Sequence, residues 1–149
     1  MKKLALTVLV SASISAYAEE GKVVEHVLVT VPLHKKESET ALPVTILSGD
    51  ALKRAVGNSI GDTLAQQPGL NNASFGPGVG QPVIRGQQGA RVTVLQNGTV
   101  SADASNLSAD HAVAVESLLA DSIEVLRGPA TLLYGGGAIG GVGNVIDGR

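Results

Sequence analysis

The chain has 149 residues, a formal charge of −2, no cysteine, and one Phe, two Tyr and no Trp against nineteen Gly. That balance excludes a general nucleic-acid binder, which would carry a basic surplus, and it excludes disulfides, thiolate metal sites and thiol catalysis. With so few aromatic side chains the core must rely on Val, Ile, Leu and Ala, and the glycines add chain entropy, so the domain is expected to be marginal unless something surrounds it.

Residues 1–18 read as a signal peptide. Lys2 and Lys3 give a positive start, Leu4 to Val10 is apolar but for Thr7, and Ala16-Tyr17-Ala18 is an A-x-A site that places cleavage between Ala18 and Glu19. The apolar run is too short to span a bilayer. Loss of the two lysines takes the formal charge to −4 and leaves 131 residues, enough for one domain with a modest core.

Residues 19–40 read as a mobile, charged segment with one β-prone run, Val27, Leu28, Val29, Thr30 and Val31, between Glu25-His26 and Pro32. Such a run can add as a strand to a partner's sheet edge, or it can be an ordinary first strand. Taken alone, the segment favours the ordinary strand.

The folded domain, residues 41–149, is expected to begin near Leu42. Val44 to Leu47 reads as a strand, and Ser48 or Asp50 as the cap of a short helix through Val56, with Leu52 and Val56 on one face. Ser59 and Asp62 form a capping-box pattern for a second helix with Ile60 and Leu64 as its apolar stripe, ended by Pro68-Gly69. Asn71 to Gln81 reads as loop, followed by an extended Pro82 to Gly86. Val92 to Leu95 is a strand that turns at Asn97-Gly98 into Thr99-Val100. A polar connection through Asp103 and Asp110-His111 leads to a helical stretch around Val115 to Leu119 and a strand at Ile123 to Leu126. Arg127-Gly128-Pro129 breaks that strand, Ala130 to Tyr134 suits one helical turn, and a glycine loop precedes a last strand at Val142 to Ile146. This order predicts an α/β (α+β) fold with a small mixed β-sheet, short helices and long loops, without a βαβ repeat.

Gly135, Gly137 and Gly140 satisfy G-x-G-x-x-G, but no acidic residue lies about 20 positions on, so a dinucleotide site is not expected. No Gly-Lys-Ser/Thr, G-x-S-x-G or H-E-x-x-H occurs, and His26, His34 and His111 are scattered. The chain is read as not an enzyme. Asp110 and His111 offer two adjacent ligands to a metal such as zinc, which needs about four. The alternative, Asp110 at a helix start with His111 exposed, is favoured by these residues alone.

Leu42-Pro43-Val44, Gly49-Asp50, Ile60-Gly61-Asp62-Thr63-Leu64 and Gln67-Pro68-Gly69 resemble, in order, the opening of the plug domain of TonB-dependent outer-membrane receptors. Pro82-Val83-Ile84-Arg85-Gly86 with Val92 to Gly98 is similar to its middle. Ile123 to Pro129, Leu133-Tyr134-Gly135 and Gly140 to Ile146 are similar to its end. The resemblance implies that Val27 to Val31 is the TonB box, which now favours strand addition over an ordinary strand. It implies a plug fold, with TonB, a barrel and a metal or metal-complex ligand as partners and no nucleic acid.

Asn106 to Ala112 resembles the zinc-uptake branch, in which an Asp-His pair binds zinc with further ligands from the barrel; zinc is then a transported substrate, and no cofactor is otherwise implied. The family continues into a barrel of about 22 strands; the absence of one before Arg149 reads as truncation. Gly143, where a branched residue commonly packs, is expected to weaken the last strand. The resulting expectation is a gating and recognition plug for metal or metal-complex uptake at the outer membrane. A stand-alone periplasmic metal or small-ligand binding protein and a non-transporting TonB-interaction module are its alternatives.

Overall fold

The structure, a computed structural model, describes residues 43–102 and 104–148. The signal peptide, the cleavage site at Ala18 and Glu19, Val27 to Val31, Leu42 and Asp103 lie outside the described residues. Strand β1 (Val44–Ser48) runs into helix α1 (Gly49–Ala55), and helix α2 (Ile60–Leu64) follows. A hairpin of β2 (Leu70–Gly76) and β3 (Val79–Ile84) leads to β4 (Val92–Gln96), β5 (Thr99–Val100), β6 (Ala120–Leu126) and β7 (Gly141–Asp147). Among the described residues five strands form one mixed sheet in the order β1-β6-β7-β4-β5, in which only β4 and β7 run parallel, while β2 and β3 pair apart. This is the expected class: a small mixed sheet with short helices.

Local chemistry accounts for several elements. Ser59 caps α2 by accepting a hydrogen bond from the Asp62 amide at 3.1 Å, and its hydroxyl donates to the Asp62 carboxylate at 3.0 Å. Ser48 holds the cap position of α1 without a capping bond, and that helix ends at Ala55, one residue short of expectation. Asn97 and Gly98 both take positive φ, 50° and 79°, the geometry a two-residue hairpin turn demands.

The sheet has two unlike faces. On one, Leu47, Val92, Val94, Ile123, Val125 and Val145 meet Leu52 and Ala55 of α1, Ile60 and Leu64 of α2, and Leu70 and Ile84 of the hairpin. On the other, Leu95, Leu126 and Val142 pack with Ala138, and Glu124 and Asn144 stand opposite each other in register, both buried. Asn144 Oδ1 accepts from the Gly98 amide at 3.0 Å, so the tight turn is held to the centre of the sheet. Each buried aliphatic side chain contributes about 1.5–3 kcal/mol. Among the described residues, none of the fully buried side chains is aromatic.

Two expectations are corrected. Asn71 to Gln81 is not a loop but most of the β2–β3 hairpin. Its Asn and Gly residues have low strand propensity, and the hairpin forms because α2 packs against it: Asn72 donates to Asp62 on α2, and Gly61 lies against the backbone of Gly80 and Gln81. The helix at Val115 to Leu119 shrinks to a turn at Ser117–Leu119. Val115 is buried in the core, its amide bonds back to Val113 O at 2.8 Å, and the Glu116 carboxylate takes the Leu118 amide, so local bonds displace a helical nucleus.

Gly143 sits on the core face of β7, opposite Val94 and Val125, and a Cβ built there meets nothing within 4 Å. The open space is where a branched side chain would pack, although β7 pairs on both sides through this position. Gly143→Ala is expected to raise unfolding stability by about 1 kcal/mol, from reduced chain entropy and a buried methyl. A lower urea midpoint for this variant would show that the void is needed.

Candidate functional site

Gln81 of β3 is 1% exposed, and its Nε2 faces three main-chain carbonyls of the connection after β5. It donates to Ser105 O at 3.0 Å and Ser108 O at 3.2 Å and reaches His111 O at 3.4 Å. The segment has little regular structure, one tight turn at Ala104–Asn106 with the Leu107 and Ser108 amides both bonded to Ala104 O. It presents Asp110 and His111 to solvent.

Asp110 and His111 are brought together. His111 Nδ1 lies 3.0 Å from Asp110 Oδ1, with both side chains more than half exposed. The Ser108 hydroxyl donates to the same carboxylate oxygen. That bond first, then Asp110's own backbone amide and His111, hold the Asp110 carboxyl below its ordinary pKa despite slight desolvation. Asp110 is therefore ionised across the neutral range. With the proton on Nδ1 directed at Asp110, Nε2 of His111 carries the free lone pair. Both bonds fall on Asp110 Oδ1, so the pair offers at most two ligating atoms, His111 Nε2 and Asp110 Oδ2. Of the helix-start alternative, the exposed His111 is found, while the first helical turn after Asp110 is at Ser117–Leu119, too far on for Asp110 to cap it. Asp121 is exposed at the start of β6, and no group of three or more His, Cys, Asp or Glu able to hold a metal ion occurs among the described residues.

Two features were not legible as functional in the sequence. Phe75, 56% exposed, is the unpaired residue of a bulge between Ser74 and Gly76 near the hairpin tip, where the irregular register re-aims a side chain. A cleft of about 430 Å³ is lined by Arg85, Gln87, Arg91 and Ile139, with Arg91 bonded to Gln87 at 2.9 Å and Arg85 at a positive φ of 54°. The Pro-Val-Ile-Arg-Gly string pointed to Arg85 as part of a resemblance, without a role. Large apolar side chains also stand free, Leu107 at 92%, Leu132 at 74% and Leu118 at 71% exposure, which suits a surface that is covered in its working state.

The family model "TonB-dependent Receptor Plug Domain" matches residues 36–142. A hemin receptor of Yersinia pestis is 35% identical over 107 residues, which are 70% of this chain and 15% of that protein. Among solved structures, the ferric enterobactin receptor PfeA of Pseudomonas aeruginosa is 26% identical with a TM-score of 0.61, over 76% of this chain and 18% of that one. The siderophore receptor PirA of Acinetobacter baumannii is 28% identical with a TM-score of 0.58, over 71% of this chain and 17% of that one. The chain thus spans less than a fifth of the length of these relatives.

Proposed function

The chain belongs to the TonB-dependent receptor plug domain family, and from that premise we propose that it gates and recognises ligand in a receptor for chelated iron, with haem as the favoured cargo. Its place is the outer membrane, as part of such a receptor. The observation that carries the cargo reading is the Asp110–His111 contact. A bare zinc ion needs about four protein ligands, whereas the pair offers at most two, His111 Nε2 and Asp110 Oδ2. One imidazole suffices as an axial ligand to haem iron, whose equatorial positions the porphyrin already fills. The hemin receptor among the relatives supports the same choice, and the enterobactin and siderophore receptors support chelated iron in general. Zinc remains the rival reading, and it would require ligands from a barrel.

Phe75 extends the ligand surface, since a flat macrocycle or a catechol ring stacks on an exposed aromatic side chain. The barrel, in this polypeptide or another, is the partner that covers the free leucines. TonB is the partner for Val27 to Val31. Hemin titration followed in the Soret band tests the cargo. His111→Ala is expected to weaken hemin binding about tenfold or more and to abolish the spectral shift of axial coordination. Unchanged hemin affinity removes the site, and zinc binding that depends on His111 in place of hemin binding returns the zinc reading.

A further inference from the structure

We propose that Gln81 is the positioning residue of this site: it locks the segment 104–111 to the β2–β3 hairpin, so that Phe75 and His111 are carried by one mechanical unit. The inference deepens the haem reading and rests on it for its functional meaning. Its structural basis is independent.

A side-chain amide has two N–H donors. Those of Gln81 converge on carbonyls 24, 27 and 30 residues further along the chain, the first contact buried and the other two part-buried. Against this, the backbone of the segment holds itself by few bonds, the Leu107 and Ser108 amides to Ala104 O at 3.0 Å and the His111 amide to Ser108 O at 3.4 Å. Leu107 is almost wholly exposed, and the side chains of Asp110 and His111 bond only to each other and to Ser108. Buried Ser105 and Val115 anchor the two ends of this stretch, and between them Gln81 is the side chain of β3 that reaches the carbonyls of Ser108 and His111.

That donor is itself held firmly. Gln81 pairs with Ala73 of β2, and the neighbouring Gly80 pairs with Ser74, the last regular partner before Phe75. Contact of a ligand with Phe75 is thereby felt at the carbonyls that Gln81 grips, and displacement of the 104–111 segment is felt at the hairpin. Three carbonyl oxygens around one amide also make the site intolerant of any side chain that only accepts. Releasing Gln81 leaves those carbonyls without a donor, and the segment opens so that water can satisfy them.

Amide hydrogen exchange in the full chain tests the lock. In Gln81→Met, similar in length and without a donor, protection of the Leu107, Ser108 and His111 amides is expected to fall about tenfold or more, while Ile123 and Val145 in the sheet are unchanged. Equal acceleration everywhere would mean that Gln81 is merely part of the core, and unaltered protection at 107–111 would mean that it positions nothing. Either overturns the proposal.

Gln81→Glu gives a second arm that remains informative if the Met variant does not fold. An ionised carboxylate cannot donate to carbonyls, and its protonated form regains one O–H donor. Burial among oxygen dipoles raises the introduced group's pKa, so protection of the segment should be lost at high pH and return as pH falls through that value. Protection that does not change with pH in this variant overturns the donor role. Hemin titration separates the two readings: if His111→Ala leaves hemin affinity unchanged while Gln81→Met still frees the segment, the lock stands and the haem site falls.

Discussion

Gly61→Ala is expected to cost about 2–3 kcal/mol of stability, although alanine is the better helix former. Two effects oppose each other at this position. Gly61 lies in α2, where replacing glycine by alanine favours the helix by about 1 kcal/mol at most. A Cβ there, however, would stand 2.7 Å from Gly80 C and 2.9 Å from Gln81 C, closer than Cβ atoms approach backbone, and it would also overlap the Asn72 side chain. The two backbones cannot yield as a flexible side chain would. Overpacking of this kind costs about 1–3 kcal/mol, sometimes more, and it outweighs the helical gain.

Relief requires α2 to lift from the hairpin, so the same change should disturb Asn72, Gln81 and the segment that Gln81 grips. Gly136→Ala is the matched control: its Cβ meets nothing within 4 Å, and its stability should stay within about 0.5 kcal/mol of the parent. Urea unfolding of both variants checks the pair. A Gly61→Ala midpoint at or above the parent's would mean that helix and hairpin are not in the close contact described.

Deletion of Glu25 to Pro32 is expected to weaken TonB binding about 100-fold, with hemin binding to the plug unchanged. The proposed mode is addition of Val27 to Val31 as a strand, in which main-chain bonds carry the affinity. Two to three such bonds at about 1 kcal/mol each amount to roughly 100-fold. Side-chain changes that keep the backbone free to pair, such as Val29→Thr, should have little effect. Val29→Pro removes a donor and should reproduce much of the deletion. Equilibrium binding of purified TonB to the three variants provides the check. Undiminished binding after deletion rejects the TonB box, and a Val29→Thr effect as large as that of Val29→Pro rejects the backbone mode.

The legible parts of the fold are those whose signals act over a few residues. The Ser59 and Asp62 pattern forms the cap it suggests, the Asn97-Gly98 pair takes the positive φ values its turn needs, and the apolar runs at Val44, Val92, Ile123 and Val142 are the strands of the main sheet. The ordered motifs identified the family for the same reason, since each is a short local constraint on turn, cap or strand. The Asn71 to Gln81 stretch reads as loop because Asn, Gly and Pro are turn signals locally, while its strands are stabilised by packing on a helix about ten residues away.

The site divides in the same way. Sequence alone brought Asp110 and His111 to notice as neighbours, and it could not decide how they use each other. The tertiary structure turned Nδ1 toward the carboxylate, which leaves Nε2 as the nitrogen able to ligate and Oδ2 as the second candidate atom. It also assigned the shape of that segment to Gln81, whose partners lie 24 to 30 residues along the chain. Composition, caps, turns and strand periodicity are properties of adjacent residues, and the sequence by itself determined them and the family they mark. The hairpin, the close approach at Gly61 and the grip of Gln81 depend on which distant segments share a space, because only burial gives an unpaired amide or carbonyl its cost.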